Sequence, residues 1–268
     1  MAEETLKPSY TLHIYYTRYS SWGARAQLVL EYFEIAHETK YYNFTVPSLT
    51  PPAELAILPV LDVTPPEADE TLRIPDSLAI CEFLAEQHPS KHLWPSDPHL
   101  RATARAAAAT MHSGFAALRN AYPCDFVARF AGPGIPFDEA IAKDVSKLLA
   151  LWGRVRAATR RRLAVLGRGA EDEGFLCGGF SIADAFFWPV LWRLRTYSVP
   201  LTGAGEDALK WMETMWSHPV MQAQAKEYFR QERNPQSRMA QYDDVLSDKP
   251  DVTRGRFVED WVFDSTAV

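Results

Sequence analysis

The chain has 268 residues, 47% hydrophobic and 23% charged, the balance of an ordinary globular protein with room for one large domain or two of usual size. Lys and Arg number 28 against 34 Asp and Glu, a net charge of −6, so phosphate counterion release offers little and nucleic acid is not an expected partner. No uninterrupted apolar run approaches a membrane span, and the start Met1-Ala2-Glu3-Glu4 is acidic without the apolar region of a signal peptide. The cysteines Cys81, Cys124 and Cys177 are odd in number and far apart, which points to reduced thiols and a cytoplasmic setting.

The first ninety residues alternate short strand and helix patterns. Thr11 to Tyr16 is rich in β-branched and aromatic residues and reads as a strand. Trp22, Ala26, Val29, Leu30 and Phe33 then recur at helical spacing, with Arg25 and Glu31 between them. Ser20 and Ser21 stand at the junction, where free backbone N–H groups and the helix dipole can hold an anion, or where a hydroxyl simply caps the helix. Thr39 to Phe44 reads as a second strand, and the proline-rich stretch 46–52 as a loop. Leu58 to Val63 is a third strand with Pro59 at its entrance, where no ladder hydrogen bond is lost. After the turn Thr64-Pro65-Pro66, Glu70 to Ile74 makes a fourth strand. A helix from Ser77 to Gln87 follows, with Leu78, Cys81, Leu84 and Ala85 along its apolar stripe. This order implies a small mixed sheet with helices packed on it.

Pro89, Pro95 and Pro98 punctuate a linker, beyond which strand signals nearly vanish. Helices are expected from His99 to about Asn120, Asp138 to Leu166, Ser181 to Tyr197, Glu206 to Trp216 and Pro219 to Gln231. Ser181 and Asp184 form a capping box, a folding signal, and Pro189 within the same helix predicts a kink near Ala185. Phe186, Phe187, Trp188 and Trp192 read as bundle core, Arg160 to Arg162 as a solvated face. His88 and His92 are split by Pro89 and lack a third ligand, so no metal site is expected. From Asn234 the chain is polar and acidic until Phe257, Trp261, Val262 and Phe263, and reads as an irregular tail whose aromatics pin back onto the body. The expected units are an α/β domain over 8–90, an all-helical domain over 99–233 and a tail over 234–268.

Four motifs stand in one order: Ser20-Ser21 at the first strand-to-helix junction, Leu58-Pro59-Val60 at the third strand, Asp76-Ser77 before the next helix, and Ser181-Ile182-Ala183-Asp184. Across roughly residues 10 to 230 the chain resembles the cytosolic glutathione transferases, and Tyr19-Ser20-Ser21-Trp22 is similar to a Ser-Ser-Trp variant of bacterial and fungal serine-type members. The resemblance implies a thioredoxin-like glutathione-binding domain followed by an all-α bundle, glutathione as cofactor, and a homodimer. It implies a cis Pro59, with Leu58 beside it and Val60 offering its N–H and C=O to the cysteinyl backbone. Asp76, where the family more often has Glu, and Ser77 would hold the γ-glutamyl end, with Trp22 nearby.

Ser20, Ser21 and Tyr19 are all candidates for the hydroxyl that meets the sulfur; Ser20 is preferred, leaving Ser21 nearer the helix cap. A free thiol has a pKa near ~8.5, and a hydroxyl donating to sulfur favours the thiolate. No Gly-x-Ser-x-Gly elbow marks a serine hydrolase, and no cysteine near Ser20 marks a thiol oxidoreductase. An electrophilic small molecule would bind between the domains, near Tyr19 and near Met111, Phe115 and Arg119 at helical spacing. Thiol addition would end either in a stable adduct or, as in some secondary-metabolite members, in cis–trans isomerisation of a conjugated alkene. A non-catalytic ligand-binding or interaction module is the rival of another class, and intact Ser20, Pro59, Asp76 and Ser77 argue against it.

Overall fold

A computed structural model describes residues 8–65 and 70–264. Met1 to Glu4, Pro66 of the expected turn and positions 265–268 of the expected tail lie outside the described residues.

Leu12 and Ile14, two residues apart on β1 (Ser9–Tyr15), are fully buried, as alternation along a strand demands. β2 (Glu38–Tyr42) lies parallel to β1, with Thr11 opposite Glu38. On the other side, β3 (Val60–Thr64) runs antiparallel with Leu12 opposite Leu61, and β4 (Leu72–Pro75) is antiparallel to β3. The sheet order is therefore β2-β1-β3-β4. The parallel crossover from β1 to β2 is α1 (Ser21–Tyr32), and α2 (Ser77–Gln87) follows β4. Leu28, Val29, Ile80, Cys81 and Leu84 of these helices are fully buried together with Leu61. Gly23 lets α1 approach β1: a Cβ there would sit 2.9 Å from Ile14 Cγ2.

The remainder is mostly helical: α3 (Pro98–Ser113), α4 (Ala116–Ala121), α5 (Glu139–Val165), α6 (Ile182–Thr196), α7 (Glu206–Ser217) and α8 (Pro219–Glu232). Phe186, Phe187, Trp188 and Trp192 of α6 are all buried, and Trp152 of α5 packs on Trp211 of α7 with ring centroids 4.5 Å apart. The capping box of Ser181 and Asp184 is present. Asp184 is fully buried, which pushes its pKa up, and its carboxyl also accepts from Leu176 N and Trp211 Nε1, each at 2.9 Å.

The structure corrects three expectations. The helix expected from His99 to Asn120 breaks at Gly114, and Phe115 turns into the left-handed region at φ 58 to start α4. A Cβ on Gly114 would come within 2.6 Å of Thr110 O, so the break is built around that glycine. The helical region and the tail are also not purely helical and irregular. β5 (Ala128–Ala131) pairs antiparallel with β6 (Thr253–Arg256), and a short α9 (Ala240–Asp243) lies between α8 and β6. Finally, Arg160 and Arg161 are exposed as expected, but Arg162 is partly buried. Arg160 pairs with Asp207, and Arg162 makes a two-point bond to Asp97, the N-cap of α3. The tail aromatics do dock on the body, Trp261 packing on Trp216 at 4.9 Å and Phe257 being buried.

Candidate functional site

The N-termini of α1 and α2 are linked through His112, which meets Trp22 of one and Asp76 of the other, and the start of α2 is tied to the segment before β3 by the bond from Asp76 N to Pro59 O. Ser20 is the N-cap of α1, with extended backbone, and accepts from Gly23 N at a long 3.4 Å. It is partly exposed, whereas Ser21, the first helical residue, is buried. Ser21 Oγ accepts from Arg193 Nη2 at 3.3 Å and lies against the buried Cys124 thiol, whose pKa burial pushes up. The cap is therefore Ser20 and not Ser21 as expected: Ser20 is both the cap and the accessible hydroxyl, while Ser21 belongs to the packing between α1 and α6. Tyr19 is committed elsewhere. It is buried, donates to Asp243 Oδ1 at 2.8 Å and stacks on Tyr242, which ties α9 to the loop before α1. Desolvation raises its pKa far above the usual tyrosine value, so it offers no ready phenolate.

At α2, Asp76 holds φ 76 and ψ 133, a strained backbone for a residue with a Cβ. Its Oδ1 accepts from Leu78 N at 2.7 Å and Ala79 N at 3.1 Å, and Oδ2 faces His112 Nε2 at 3.2 Å. Ser77 is fully buried, and its Oγ has no hydrogen-bond partner among the described residues. An orphaned hydroxyl at the positive end of a helix is complementary to a carboxylate.

The Leu58-Pro59 peptide bond is cis. Asp76 N donates to Pro59 O at 3.2 Å, and Val60 lies opposite Pro75, which has no N–H to give. Val60 and Pro75 are thus a non-hydrogen-bonded pair, and strand alternation turns the backbone N–H and C=O of Val60 toward β1, opposite His13. They do not point outward as the sequence reading expected. Leu58, just outside the strand, keeps backbone groups that bond to no described residue.

A chain of contacts joins the two helix starts. His112 bridges Asp76 and the Trp22 ring, which it meets edge-on at 5.2 Å. Trp22 lies two residues beyond Ser20 and is covered by the guanidiniums of Arg25 and Arg119, 4.5 Å and 4.7 Å from the ring centroid. Burial, with Arg193 and Arg119 adding like charge, holds the Arg25 pKa down to about 9. Of the three residues expected to share a helical face, Met111 is fully buried, Phe115 is nearly so and lies across the helix break, and Arg119 alone is partly exposed.

Sequence reading did not single out Arg25, His112 or Arg193. For Arg25 there was one signal, a charged residue enclosed by the apolar positions of α1. For Arg193 there was another, a lone cation in the aromatic run of α6. A cavity of about 590 Å³ between α6, α7 and the C-terminal segment is lined by Leu191, Met212, Trp216 and Trp261, and does not include Ser20, Asp76 or Ser77. Among the described residues no group of His, Cys, Asp and Glu has metal-binding geometry, and no helix is long and apolar enough to cross a membrane.

Residues 101–214 match the family model described as glutathione S-transferase, C-terminal domain. A glutathione transferase homolog from Burkholderia GL BGR1, solved with bound glutathione, is similar at 22% identity and TM-score 0.55, over 85% of this chain and 99% of that one. Glutathione transferase Omega 2C from Trametes versicolor is similar at 20% identity and TM-score 0.59, over 84% and 97%. Maleylacetoacetate isomerase from Anaeromyxobacter dehalogenans, solved with dicarboxyethyl glutathione and citrate in its active site, is similar at 24% identity and TM-score 0.51, over 81% and 90%. Comparison with curated protein sequences gives no match. The architecture is that of the glutathione transferases: a thioredoxin-like mixed-sheet part followed by a helical part.

Proposed function

We propose that this chain of glutathione transferase fold binds glutathione at the starts of α1 and α2 and activates its thiol, through Ser20, for addition to an electrophilic small molecule. The observation that carries the reading is the Ser77 hydroxyl, fully buried and without a partner among the described residues, next to the strained Asp76 at a helix N-terminus. An unpaired buried polar group costs stability, and a carboxylate such as that of the γ-glutamyl end would satisfy it. Asp76 Oδ2 would meet the γ-glutamyl ammonium, sharing it with His112. Leu58, in place of Val60, would pair with the cysteinyl backbone. Trp22 would close the side of the site toward α4.

Bound glutathione would supply the thiol: its proton passes to solvent, the sulfur forms a bond to the electrophilic carbon as the conjugated C=C π bond opens to an enolate, and solvent returns a proton to that enolate carbon. Ser20 would donate its O–H to the sulfur, because among the described residues its hydroxyl oxygen accepts from Gly23 N and its O–H is left to give. The first-turn N–H groups of α1 and the uncompensated charge of Arg25 and Arg193 would add positive potential there. Ser20 is not itself a nucleophile in this scheme, since no described base stands against it. Titration calorimetry tests binding: millimolar or tighter affinity for glutathione supports the reading, and no binding overturns it. Ser20→Ala should then lower turnover far more than Ser21→Ala. The likeness to a maleylacetoacetate isomerase supports one second outcome at the same site, cis–trans isomerisation of a conjugated alkene. Product analysis separates the two, because isomerisation leaves glutathione unconsumed. The fold likeness also supports a homodimer, which light scattering would register as twice the mass of one chain.

A further inference from the structure

Three guanidiniums converge around Trp22 and Ser21, and none forms an ion pair with a described carboxylate. Arg25 is 1% exposed, and its Nε and Nη1 are buried with no hydrogen-bond partner among the described residues. Its guanidinium lies between the rings of Trp22 and Phe186, 4.5 Å and 4.8 Å from their centroids. Arg193 is buried and donates to Tyr122 O, Pro189 O and Ser21 Oγ, all neutral acceptors. Arg119 donates through Nη1 to His112 O and Gly114 O at the end of α3, and is the partly exposed member of the group.

Ring stacking accounts for the faces of Arg25 but not for the in-plane N–H groups on Nε and Nη1, which meet no acceptor among the described residues. Buried charge is ordinarily paired, and three like charges without an acid leave a potential that only an anion relieves. One thiolate at Ser20 would offset part of it. Arg119 and Arg193 come from the helical part, whereas Asp76, Ser77 and Leu58, where the reading above places glutathione, belong to the sheet part.

We propose that the electrophile carries a carboxylate, and that Arg119, backed by Arg25 and Arg193, binds it beside Trp22. This rests on the proposed glutathione chemistry and names its substrate class. Arg119 presents the edge that makes a charge-assisted bond, while Arg25 and Arg193 set the potential behind it.

The test compares phenyl vinyl ketone bearing a ring carboxylate with its methyl ester, each rate divided by the uncatalysed rate with glutathione. The parent protein should prefer the acid by about 10- to 100-fold in kcat/KM, the usual worth of a hydrogen bond between charged groups. Arg119→Gln should cut that preference by about tenfold or more, and Arg119→Lys should keep part of it. Equal rates for acid and ester, or an unchanged preference in Arg119→Gln, would overturn the proposal. A weakened glutathione affinity with the preference intact would also overturn it, because the cluster would then serve a carboxylate of glutathione itself. Inhibition of the parent needs no variant: benzoate should compete with the electrophile about tenfold better than benzamide, and equal inhibition refutes the assignment. Glutathione binding is read separately by calorimetry, so a failure there identifies the underlying reading as the fault.

Discussion

Replacing Ser77 by Ala should stabilise the ligand-free protein and weaken its hold on glutathione, two effects of opposite sign from one atom. The hydroxyl is fully buried and unpartnered among the described residues, so folding strips it of water and returns nothing. Removing an unsatisfied buried hydroxyl recovers part of a penalty of about 1–3 kcal/mol. Ala also gains a few tenths of a kcal/mol in helix propensity over Ser at this first position of α2. The void left by one oxygen offsets some of this. A net gain of about 1 kcal/mol is expected, which for a chain of this size raises Tm by about 2–4 °C. In the complex the same oxygen would bond a carboxylate, worth about 1.5–3 kcal/mol, so affinity should fall by about 10- to 150-fold. Thermal unfolding without ligand and calorimetry with glutathione read the two signs independently. A variant that is destabilised, or one that binds glutathione as the parent does, would refute the reasoning.

Gly23→Ala should destabilise the fold by about 1–3 kcal/mol through overpacking, since the new Cβ would meet Ile14 Cγ2 at 2.9 Å; a denaturant midpoint equal to the parent's would show that α1 does not sit so close to β1. Asp97→Asn keeps a capping oxygen on α3 but removes the charge facing Arg162, which holds the Asp97 carboxyl well below the usual carboxylate range. Because that pKa is depressed on folding, its contribution is present above the unfolded value near ~4 and is lost as pH falls below it. The stability difference between parent and variant should therefore be full at pH 6 and shrink as acid is added, and a difference independent of pH would exclude the pair as its source.

What could be read from the sequence was what is local. β1 through α2 followed from alternation and 3.6-residue spacing, and α5, α7 and α8 fell within a residue or two of their expected ends because their caps and apolar stripes agree. The β5–β6 ribbon was not legible. Ala-Arg-Phe-Ala is too short to show alternation, Thr-Arg-Gly-Arg is exposed throughout, and each is a strand because the other lies beside it. The same limit governs the candidate site. Ser20, Asp76 and Ser77 were visible because each sits at a helix start, a sequence-local event. Which serine caps α1 was not, because the burial of Ser21 depends on Arg193, far along the chain on α6. The grouping of Arg25, Arg119 and Arg193 arises only when α1, α4 and α6 pack. The outward role expected of Val60 failed on strand parity, which the hydrogen bond from Asp76 N to Pro59 O fixes.

The claim that Ser20 activates a thiol is tested most directly by titrating glutathione bound to the protein, following thiolate absorbance in the ultraviolet across pH. The account predicts a bound thiol that ionises about one pH unit or more below the free value near ~8.5, and Ser20→Ala should move that titration back toward the free value. Glutathione that binds but titrates identically in parent and Ser20→Ala would contradict it.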